Sequence, residues 1–374
     1  MKNNKIAIIC RTVGLEYDDR IRKECISIAK NAVVKIFVVF ESNLEEEGIT
    51  SYGIPYKSFK LITRDIFPSS RFLLIKAFEF YFKVRPEIKD YDLIWAHEEY
   101  TFLFPLFAQK GRFIWDLHEI PMLFDWPILR NIFHYIENKS KYVLHANEYR
   151  IKYLKDIGLV RQSSKHDYVR NYPDIHFTNS KAQAHNYKEF LEWLNGYNYV
   201  YLQGLTGSGR YPYNSIASVL EVTDLKIVVV GSFEDIASRK KLEQNFGSLL
   251  IERVFFAGKV NQLEIPSYLK KAVFTMVFYD NSFPNNEYCE ANRFYQAINF
   301  GIPVITGCNI SLSSIVEEFN LGISLGADGR DIDEIKAAIK ILLADHDFYN
   351  NNCNKNKETF VWTESSVKES WYII

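Results

Sequence analysis

The sequence predicts an α/β protein with two domains, on the basis of three observations. Apolar runs of strand length alternate with amphipathic helical patterns along the chain, which is typical of parallel sheets covered by helices. A polar stretch and a connecting helical pattern, over residues 176–198, interrupt this alternation once. The length of 374 residues is common for two domains.

Each half of the chain is predicted to form one sheet. The first sheet begins with a strand over 6–10, followed by a helix over 18–30 with acidic residues in its first turn. Its other strands are predicted over 34–40, 93–96, 113–115 and 142–146. The second sheet is predicted from strands over 199–203, 226–230, 254–256, 274–278 and 304–306. The carboxyl ends of two such sheets would border a central cleft, where open α/β folds bind ligands.

The composition excludes several classes of protein. A net charge of −1 gives no sign of a nucleic-acid partner, and no apolar stretch approaches the ~20 residues that a membrane span needs. The apolar run over 6–10 is too short for a signal peptide, so we expect a cytoplasmic protein. The five cysteines and eight histidines lack the spacing of metal sites, so we expect reduced thiols and no bound metal.

The segment 290–305 carries the first pattern with chemical meaning. A polar loop leads into a short helical pattern that Gly301 ends, and Pro303 precedes a strand. A helix start near Asn292 would offer free N–H groups to an anion such as a diphosphate. The same spacing is also that of an ordinary helix-to-strand turn, so the residues alone leave both interpretations open.

This segment resembles the donor-binding signature of GT-B glycosyltransferases, a large group of retaining enzymes that includes many bacterial polysaccharide and lipid-linked sugar transferases. The match covers Asn292, Arg293 and Gln296, followed by Gly301 and Pro303. In that family a glutamate five residues before the glycine binds the donor ribose. Gln296 stands at this position, so the resemblance implies that Gln296 binds the ribose.

A second family glutamate, eight residues earlier, contacts the transferred sugar, and Tyr288 replaces it in this chain. The replacement resembles a subgroup with an Asn-Lys-x-x-Glu pattern. The resemblance implies that Glu287 or Glu290 takes over the sugar contact and that Ala291 lies beside the donor.

A glycine-rich loop over 203–210 follows a predicted strand and contains Gly204, Gly207 and Gly209 before Arg210. It is similar to the family element whose arginine clamps the donor diphosphate, since glycines admit a phosphate and a guanidinium pairs with it bidentately. Ser215 replaces the usual lysine five residues further on, which leaves Arg210 as the cation of this clamp. A Walker A loop is excluded because Arg210 and a tyrosine replace its Lys-Ser/Thr. A surface turn is the other interpretation of this loop.

Three polar residues, Asp116, His118 and Glu119, end another predicted strand, where they would reach a ligand cleft. The family has Asp-x-His-Glu here, and its histidine faces the transferred sugar, so the resemblance implies catalytic roles for these three residues and Arg210. His97 ends the preceding strand and is a weaker candidate on the acceptor side. Either histidine alone would otherwise be read as structural.

Smaller matches occur in family order along nearly the whole chain. Gly14, Asp19 and Arg20 precede or begin the first predicted helix and are placed on the acceptor side. Lys259 and Val260 resemble the loop beside the donor base. Residues 362–372 resemble the final family helix, which crosses back to the first domain.

The resemblance implies two Rossmann-like domains facing a central cleft, over 1–177 and 178–361, with a C-terminal helix over 362–374. It implies transfer of a sugar from a nucleoside-diphosphate sugar, UDP- or GDP-linked, to a glycan or lipid-linked acceptor with retention of configuration. No cofactor or metal is expected. A nucleotide-sugar epimerase or a phosphorylase of the same fold, and a non-catalytic nucleotide-sugar binding protein, are the alternatives.

Two further segments have competing interpretations. Asp331 and Asp333 form a D-x-D pattern, but a helical pattern over 334–343 follows them at once, so helix capping explains them better than a metal. The helical pattern over 71–85 has a wide apolar face opposite Lys76, Glu79 and Lys83. It either packs on its own sheet or contacts a membrane or a lipid-linked acceptor.

Overall fold

A computed structural model describes residues 4–67 and 72–373 of the chain. Residue contacts divide the protein into a first unit, residues 1–171 with 363–374, and a second unit, residues 172–362. Residues 172–177, which the sequence suggested for the first domain, belong to the second unit in this division. Each unit has its own sheet.

In the described part of the first unit, the sheet has eight strands in the order β3-β4-β2-β1-β5-β6-β7-β8, parallel except for the pairing of β3 with β4. The central strand β1 is buried on both faces from Ile6 to Cys10, as expected for a sheet covered by helices on both sides. The five predicted strands are present and differ only at their ends. Three short strands, β3, β4 and β8, were not predicted. The strands are β1 (Asn4–Thr12), β2 (Ala32–Phe40), β3 (Glu47–Ile49), β4 (Pro55–Ser58), β5 (Leu93–His97), β6 (Phe113–Leu117), β7 (Tyr142–His145) and β8 (His166–Tyr168).

The helices of the first unit begin with α1, whose start is set by Asp18. The Asp18 carboxylate accepts a hydrogen bond from the backbone N–H of Ile21 and so caps the helix. The helices are α1 (Asp19–Ala29), α2 (Ile62–Ile66), α3 (Leu73–Val84), α4 (Leu103–Phe107), α5 (Pro127–Lys139) and α6 (Glu148–Asp156).

The C-terminal segment is not the continuous helix that the sequence suggested. It forms a 3-10 turn over Glu364–Ser366 and a short helix over Glu369–Tyr372, because Val367 and Lys368 adopt extended backbone angles between them. Trp371 is buried in the first unit, where its ring centroid lies 6.3 Å from that of Trp95.

The sheet of the second unit has six parallel strands in its described residues, in the order β11-β10-β9-β12-β13-β14. Alternate residues of β9 face opposite layers: Tyr199 and Tyr201 pack into one apolar cluster, and Val200 and Leu202 into the other. The five predicted strands are confirmed, and the edge strand β14 was not predicted. The strands are β9 (Tyr199–Gln203), β10 (Lys226–Val230), β11 (Val254–Gly258), β12 (Thr275–Val277), β13 (Val304–Thr306) and β14 (Gly322–Ser324).

Ten helices of the second unit are described. The connecting helical pattern predicted within 176–198 is present as the second of them, and the helix after Asp331 is present as the ninth. They are α7 (Ile175–Thr178), α8 (Tyr187–Leu194), α9 (Pro212–Val222), α10 (Ile236–Arg253), α11 (Ile265–Leu269), α12 (Pro284–Glu287), α13 (Asn292–Asn299), α14 (Ile310–Phe319), α15 (Ile332–Ala344) and α16 (His346–Asn356).

Candidate functional site

The loop over 203–211 leaves the carboxyl end of β9 with its backbone close to other groups. Gly204 has φ +66°, and a Cβ added there would lie 3.1 Å from Nη1 of Arg293 and 3.6 Å from Nη1 of Arg210. A Cβ on Gly231, at the end of β10, would lie 3.4 Å from the backbone nitrogen of Gly204. Glycine is therefore needed at Gly204 both for its backbone angle and for the close approach of the side chains.

Two guanidinium groups contact the ring of Tyr279, which follows β12. The Cζ of Arg210 lies 4.6 Å from the ring centroid, and the Cζ of Arg293 lies 4.9 Å from it. The sequence had left Arg210 as the cation of the clamp, because Ser215 replaces a lysine. Ser215 offers no cation at that spacing, but Arg293, which the resemblance also placed at the donor, supplies a second cation from α13.

Arg293 is a buried cation held by backbone carbonyls. Its guanidinium donates to the carbonyl oxygens of Gln203, Gly204 and Phe278, and only 7% of the residue is exposed. Burial lowers the pKa of Arg293, and the positive charge of Arg210 lowers it further. Among the described residues neither arginine has a carboxylate partner. A desolvated positive charge without a counter-ion is costly, so this arrangement favours an anionic ligand.

The end of the loop is fixed by a buried carboxylate. Tyr211 adopts a left-handed backbone with φ +49°, and its hydroxyl donates to Asp328 over 2.7 Å. The backbone N–H of Asn281 donates to the same carboxylate, which also pairs with Arg330 at 2.6 Å. The backbone of Gly209 is bound as well, since its carbonyl accepts from Asp280 over 2.7 Å. These bonds hold the loop in one conformation around Arg210.

The helix α13 carries the other predicted donor residues. It begins at Asn292, with Ala291 as its N-cap residue. Arg293 therefore lies in the first turn, where backbone N–H groups lack partners within the helix. Gln296 is 3% exposed, and its Oε1 atom has no hydrogen-bond partner. Leaving a buried acceptor without a donor is costly, and a ligand hydroxyl could supply that donor.

Three further predicted residues of the second unit, and Ser215, have other environments. The Glu290 carboxylate accepts a hydrogen bond from the hydroxyl of Tyr295. Lys259 is exposed just after β11, and Val260 packs partly against the apolar core. Ser215 is buried and donates to the carbonyl of Tyr211.

In the first unit, the carboxyl ends of β5 and β6 meet α1 in a buried polar cluster. Asp116 accepts from Arg20 over 2.5 Å, and Arg20 also donates to Glu24 over 2.9 Å. Arg20 is 4% exposed and Asp116 is completely buried. Burial raises the pKa of Asp116, but the charge of Arg20 outweighs it and holds that pKa below its usual range. Burial and the charge of Asp116 together raise the pKa of Glu24 well above its usual value.

His118 lies at the edge of this cluster and is bound through both ring nitrogens. Its Nδ1 atom is 3.0 Å from a carboxylate oxygen of Glu98, and its Nε2 atom is 3.1 Å from Nδ1 of His97. Burial lowers the pKa of His97 to about 3. Burial also disfavours the charge on His118, but Glu98 outweighs this and raises the pKa of His118 to about 9. The pair therefore consists of a neutral His97 and a protonated His118 at neutral pH.

The remaining predicted residues of the first unit have mixed environments. Glu119 is largely exposed and pairs with Arg150 at 3.2 Å. Asp19 pairs with Lys23 at 2.6 Å. Gly14 lies in the turn after β1, where its carbonyl accepts from the N–H of Asp18 over 3.2 Å. The contact with Lys23 therefore occupies the Asp19 carboxylate within α1.

One group in the described part of the chain has donor atoms spaced for a metal ion, namely His97, Asp116 and His118, within 4.8 Å of one another. Arg20 already neutralises Asp116, and Glu98 already holds His118. We therefore assign this group as a hydrogen-bonded cluster. The D-x-D pattern is a helix cap, since the Asp331 carboxylate accepts from the backbone N–H groups of Asp333 and Glu334.

The predicted helix over 71–85 is present as α3, with Arg71 outside the described residues. One apolar face of α3 packs into the first unit through Phe80 and Tyr81, as the first interpretation expects. A second apolar face is exposed, as the membrane interpretation expects. Lys76 is buried rather than on an open polar face. None of the helices among the described residues has the length and apolar character of a membrane span. The exposed apolar face consists of Leu74, Ile75, Phe78 and Phe82.

Sequence reasoning did not identify Glu98, Glu24, Tyr279 or Asp328. Glu98 follows His97 directly, so its place after a strand was a usable signal. The other three each face a partner that is distant in sequence: Glu24 lies 92 residues from Asp116, Tyr279 lies 69 from Arg210, and Asp328 lies 117 from Tyr211. Only the fold brings these pairs together.

Two α/β units with parallel sheets, the second with a cationic glycine loop at its strand ends, give this chain the GT-B fold. Solved structures support the assignment at low sequence identity. Sucrose-phosphate synthase from Thermosynechococcus elongatus has a TM-score of 0.72 and 14% identity over 96% of this chain and 95% of that chain. Alr3699/HepE from Anabaena in complex with UDP-glucose has a TM-score of 0.67 and 13% identity, over 95% and 94%. A structure from E. coli described as trehalose-6-phosphate bound with UDP-2-fluoro glucose has a TM-score of 0.73 and 13% identity, over 99% and 100%. No protein-family model and no curated protein sequence matches the chain.

Proposed function

We propose that this chain is a glycosyltransferase that moves a sugar from a nucleoside-diphosphate sugar, UDP- or GDP-linked, to a glycan or lipid-linked acceptor. The observation that carries the proposal is the pair of guanidinium groups, Arg210 and Arg293, around one glycine loop without a carboxylate partner among the described residues. A diphosphate supplies the charge and the multiple acceptors that such a pair binds. The neighbouring folds in complex with UDP-glucose and UDP-2-fluoro glucose support this class of ligand.

The donor would be bound along the carboxyl edge of the second sheet. The diphosphate would lie at Arg210, the Gly204 backbone and the amino end of α13, whose dipole also favours an anion. The ribose would lie at Gln296, because its unpaired Oε1 atom can accept a hydrogen bond from a hydroxyl. Lys259 and Val260 would lie toward the base.

Transfer would break the bond from the anomeric carbon of the sugar to the diphosphate oxygen. The acceptor oxygen would form the new bond on the same face, and its proton would pass to the leaving diphosphate. Charge grows on the diphosphate in the transition state, and Arg210 and Arg293 are already oriented around one loop to stabilise it. This route needs no protein nucleophile. His118, whose two ring nitrogens are bound to Glu98 and His97, would contribute a fixed positive charge on the acceptor-side unit.

A thermal-shift screen tests the proposed donor class. UDP, GDP and their common sugar conjugates should raise the unfolding temperature of the second unit by mass action. An Arg210→Ala variant of the same protein serves as the matched control and should lose the shift. Absence of any shift with either nucleotide series would refute the proposed donor site.

We also propose that transfer retains configuration and needs no divalent metal. The two arginines could neutralise the diphosphate in place of a metal. Turnover should survive EDTA, and the product anomer by NMR should match that of the donor. Complete loss of turnover in EDTA that Mn²⁺ or Mg²⁺ restores, or an inverted product, would contradict this proposal.

The exposed apolar face of α3 supports contact with a membrane or a lipid-linked acceptor. Phe82 of this face is 60% exposed. It packs on Tyr81, which lines a surface cavity of about 270 Å³ together with Phe107 and the cations Arg85 and Arg112. Aromatic groups beside cations suit an anionic lipid surface.

Vesicle sedimentation tests the membrane contact. The protein should pellet with phosphatidylglycerol vesicles and less with phosphatidylcholine vesicles, and Phe78→Ser with Phe82→Ser should abolish pelleting. Ile236→Ser with Ile251→Ser is the matched control, since both isoleucines are exposed apolar residues of α10. No pelleting of the wild-type protein would sink the proposed contact.

A non-catalytic nucleotide-sugar binding protein is the second candidate, favoured by Tyr288 and Gln296 where related enzymes carry glutamates. It would bind the donor without releasing nucleotide. An epimerase would convert the donor alone, so product analysis with and without acceptor separates all three activities.

A further inference from the structure

Glu98 has a backbone conformation that side chains rarely adopt. Its φ is +67° and its ψ is 161°, a region that is essentially open only to glycine. The residue lies directly after β5, between His97 and the turn over Glu99–Thr101. Such strain persists only where the surroundings over-determine it, and it concentrates at functional sites.

Four hydrogen bonds hold the Glu98 backbone in this conformation. Its N–H donates to the carbonyl of Asp116 over 2.7 Å. Its carbonyl accepts from Trp115 Nε1 over 3.0 Å, and from the hydroxyl and backbone N–H of Thr101 over 2.9 and 3.2 Å. The strained residue is therefore tied to β6, the strand that ends next to His118.

The result of this geometry is the position of the Glu98 carboxylate, 3.0 Å from Nδ1 of His118. His97 lies on the other ring nitrogen at 3.1 Å. The side chain of Glu98 is about one-third exposed, and that of His118 is less exposed.

The other charged or titratable groups that face this cluster come from three elements. Asp116 Oδ1 of β6 lies 3.8 Å from His118 Nε2. Arg20 and Glu24 of α1 contact Asp116 and His97, Arg150 of α6 donates to the carbonyl of His118, and Glu119 pairs with Arg150. Glu98 is the only carboxylate among the described residues within 3.5 Å of a ring nitrogen of His118.

We propose that Glu98 is a positioning residue for His118: its carboxylate fixes the imidazole in one orientation, in which both ring nitrogens donate hydrogen bonds. Glu98 accepts from Nδ1, and the buried neutral His97 accepts from Nε2. The backbone strain is the cost of placing the carboxylate there. The link to catalysis rests on the proposed transferase function, but the positioning itself does not.

An NMR titration of the protein without ligand tests the positioning directly. The C2 proton signal of His118, assigned by its loss in His118→Gln, should titrate far above 6.5 in the wild-type protein. In Glu98→Gln its midpoint should fall by at least about 1, because the opposite charge is removed. Glu99→Gln is the matched control, since the Glu99 carboxylate instead faces the backbone N–H of Leu123, and it should leave the midpoint within ~0.3. An unchanged midpoint in Glu98→Gln would overturn the proposal whether or not the protein transfers a sugar.

A glycine variant separates positioning from a purely structural role. Glu98→Gly and Glu98→Gln both lose the charge pair with His118, but only glycine relieves the backbone strain. Compared with Glu98→Gln, Glu98→Gly should therefore unfold at an equal or higher temperature. Its kcat for release of nucleoside diphosphate should nevertheless fall by on the order of 10-fold or more, with the donor KM little changed, as for other carboxylates that orient a histidine. An unfolding temperature clearly below that of Glu98→Gln, or full activity in a protein that turns over donor, would overturn the proposal.

Discussion

Replacing Arg210 with alanine should weaken the binding of a nucleoside diphosphate without destabilising the empty protein. The reason lies in the second cation. Nη1 of Arg210 and Nη1 of Arg293 lie 3.6 and 3.1 Å from the same point, where a Cβ on Gly204 would stand. Two positive charges this close repel each other until an anion binds between or beside them.

The magnitude follows from these distances. At a separation of ~6 Å and an effective dielectric constant of about 20, two unit charges repel by about 3 kcal/mol. Arg210 is half-buried, so solvent reduces this to about 1 kcal/mol, which offsets the ~0.5–1 kcal/mol lost with its Tyr279 contact. Loss of a charged hydrogen-bond donor to the diphosphate should cost about 1.5–3 kcal/mol in affinity. The further loss of transition-state stabilisation should bring kcat/KM down by on the order of 10²-fold.

Calorimetry with UDP and GDP, compared with uridine and guanosine, measures the phosphate contribution. The variant should lose affinity for the diphosphates and keep its affinity for the nucleosides. Arg239→Ala is the matched control, because Arg239 also stacks on a ring, with its Cζ 4.3 Å from the Phe256 centroid, and lies in the exposed helix α10. Arg210→Lys should restore only part of the affinity, since an ammonium cannot form the bidentate pair.

Near-wild-type diphosphate affinity and kcat/KM in folded Arg210→Ala would contradict this prediction. That result would remove Arg210 from the donor site. A parallel loss of nucleoside affinity would instead mean that the variant disturbs the whole loop, which would contradict a loss confined to the phosphate contacts.

Three further predictions concern single groups. Gln296→Ala should weaken donor binding by about 1–3 kcal/mol by calorimetry, because a ribose hydroxyl loses its buried acceptor; an unchanged affinity would place the ribose elsewhere. Between pH 6.5 and 9 the free energy of unfolding should fall with rising pH by on the order of 3 kcal/mol, since the raised pKa of His118, about 9, adds stability that is complete below 6.5 and lost above 9. Urea titrations check this pH dependence, which should flatten in Glu98→Gln; a rise of stability across this window would contradict it. Asp328→Asn should lower UDP affinity about tenfold by weakening the hold on Tyr211, and unchanged affinity would show that the loop is held without this charge.

The fold was largely predictable because its main strands are continuous apolar runs. A strand such as β10 (Lys226–Val230) is buried on both faces, so its apolar composition alone predicts it. Of the four missed strands, β3, β8 and β14 have three residues each and β4 has four, and all four are partly exposed. Their strand conformation comes from pairing with a neighbour, and a sequence window this short contains no period to detect.

The candidate site was predictable where chemistry coincides with a turn. The glycine loop and Arg210 are adjacent in sequence, so their pattern could be read. The partnership of Arg293 with that loop joins residues about 90 apart in sequence, and the burial of Arg20 against Asp116 joins residues 96 apart. Periodicity gives the face of a helix, but it does not give the identity of the group across from that face.

Charge illustrates the same limit and explains why it matters for function. The chain carries a net charge of −1, so its composition excludes a global electrostatic role. Burial nevertheless concentrates two guanidinium groups around Gly204 in the second unit, and leaves them without a carboxylate among the described residues. In the first unit the arrangement is the opposite, because each cation, Arg20 and the protonated His118, faces a carboxylate. A cation that already faces a carboxylate can orient a neighbour, whereas a buried cation without a counter-ion has a desolvation cost that an incoming anion can offset. We therefore expect the donor to bind at Arg210 and Arg293. We expect the acceptor to be positioned at the cluster that contains Arg20 and His118.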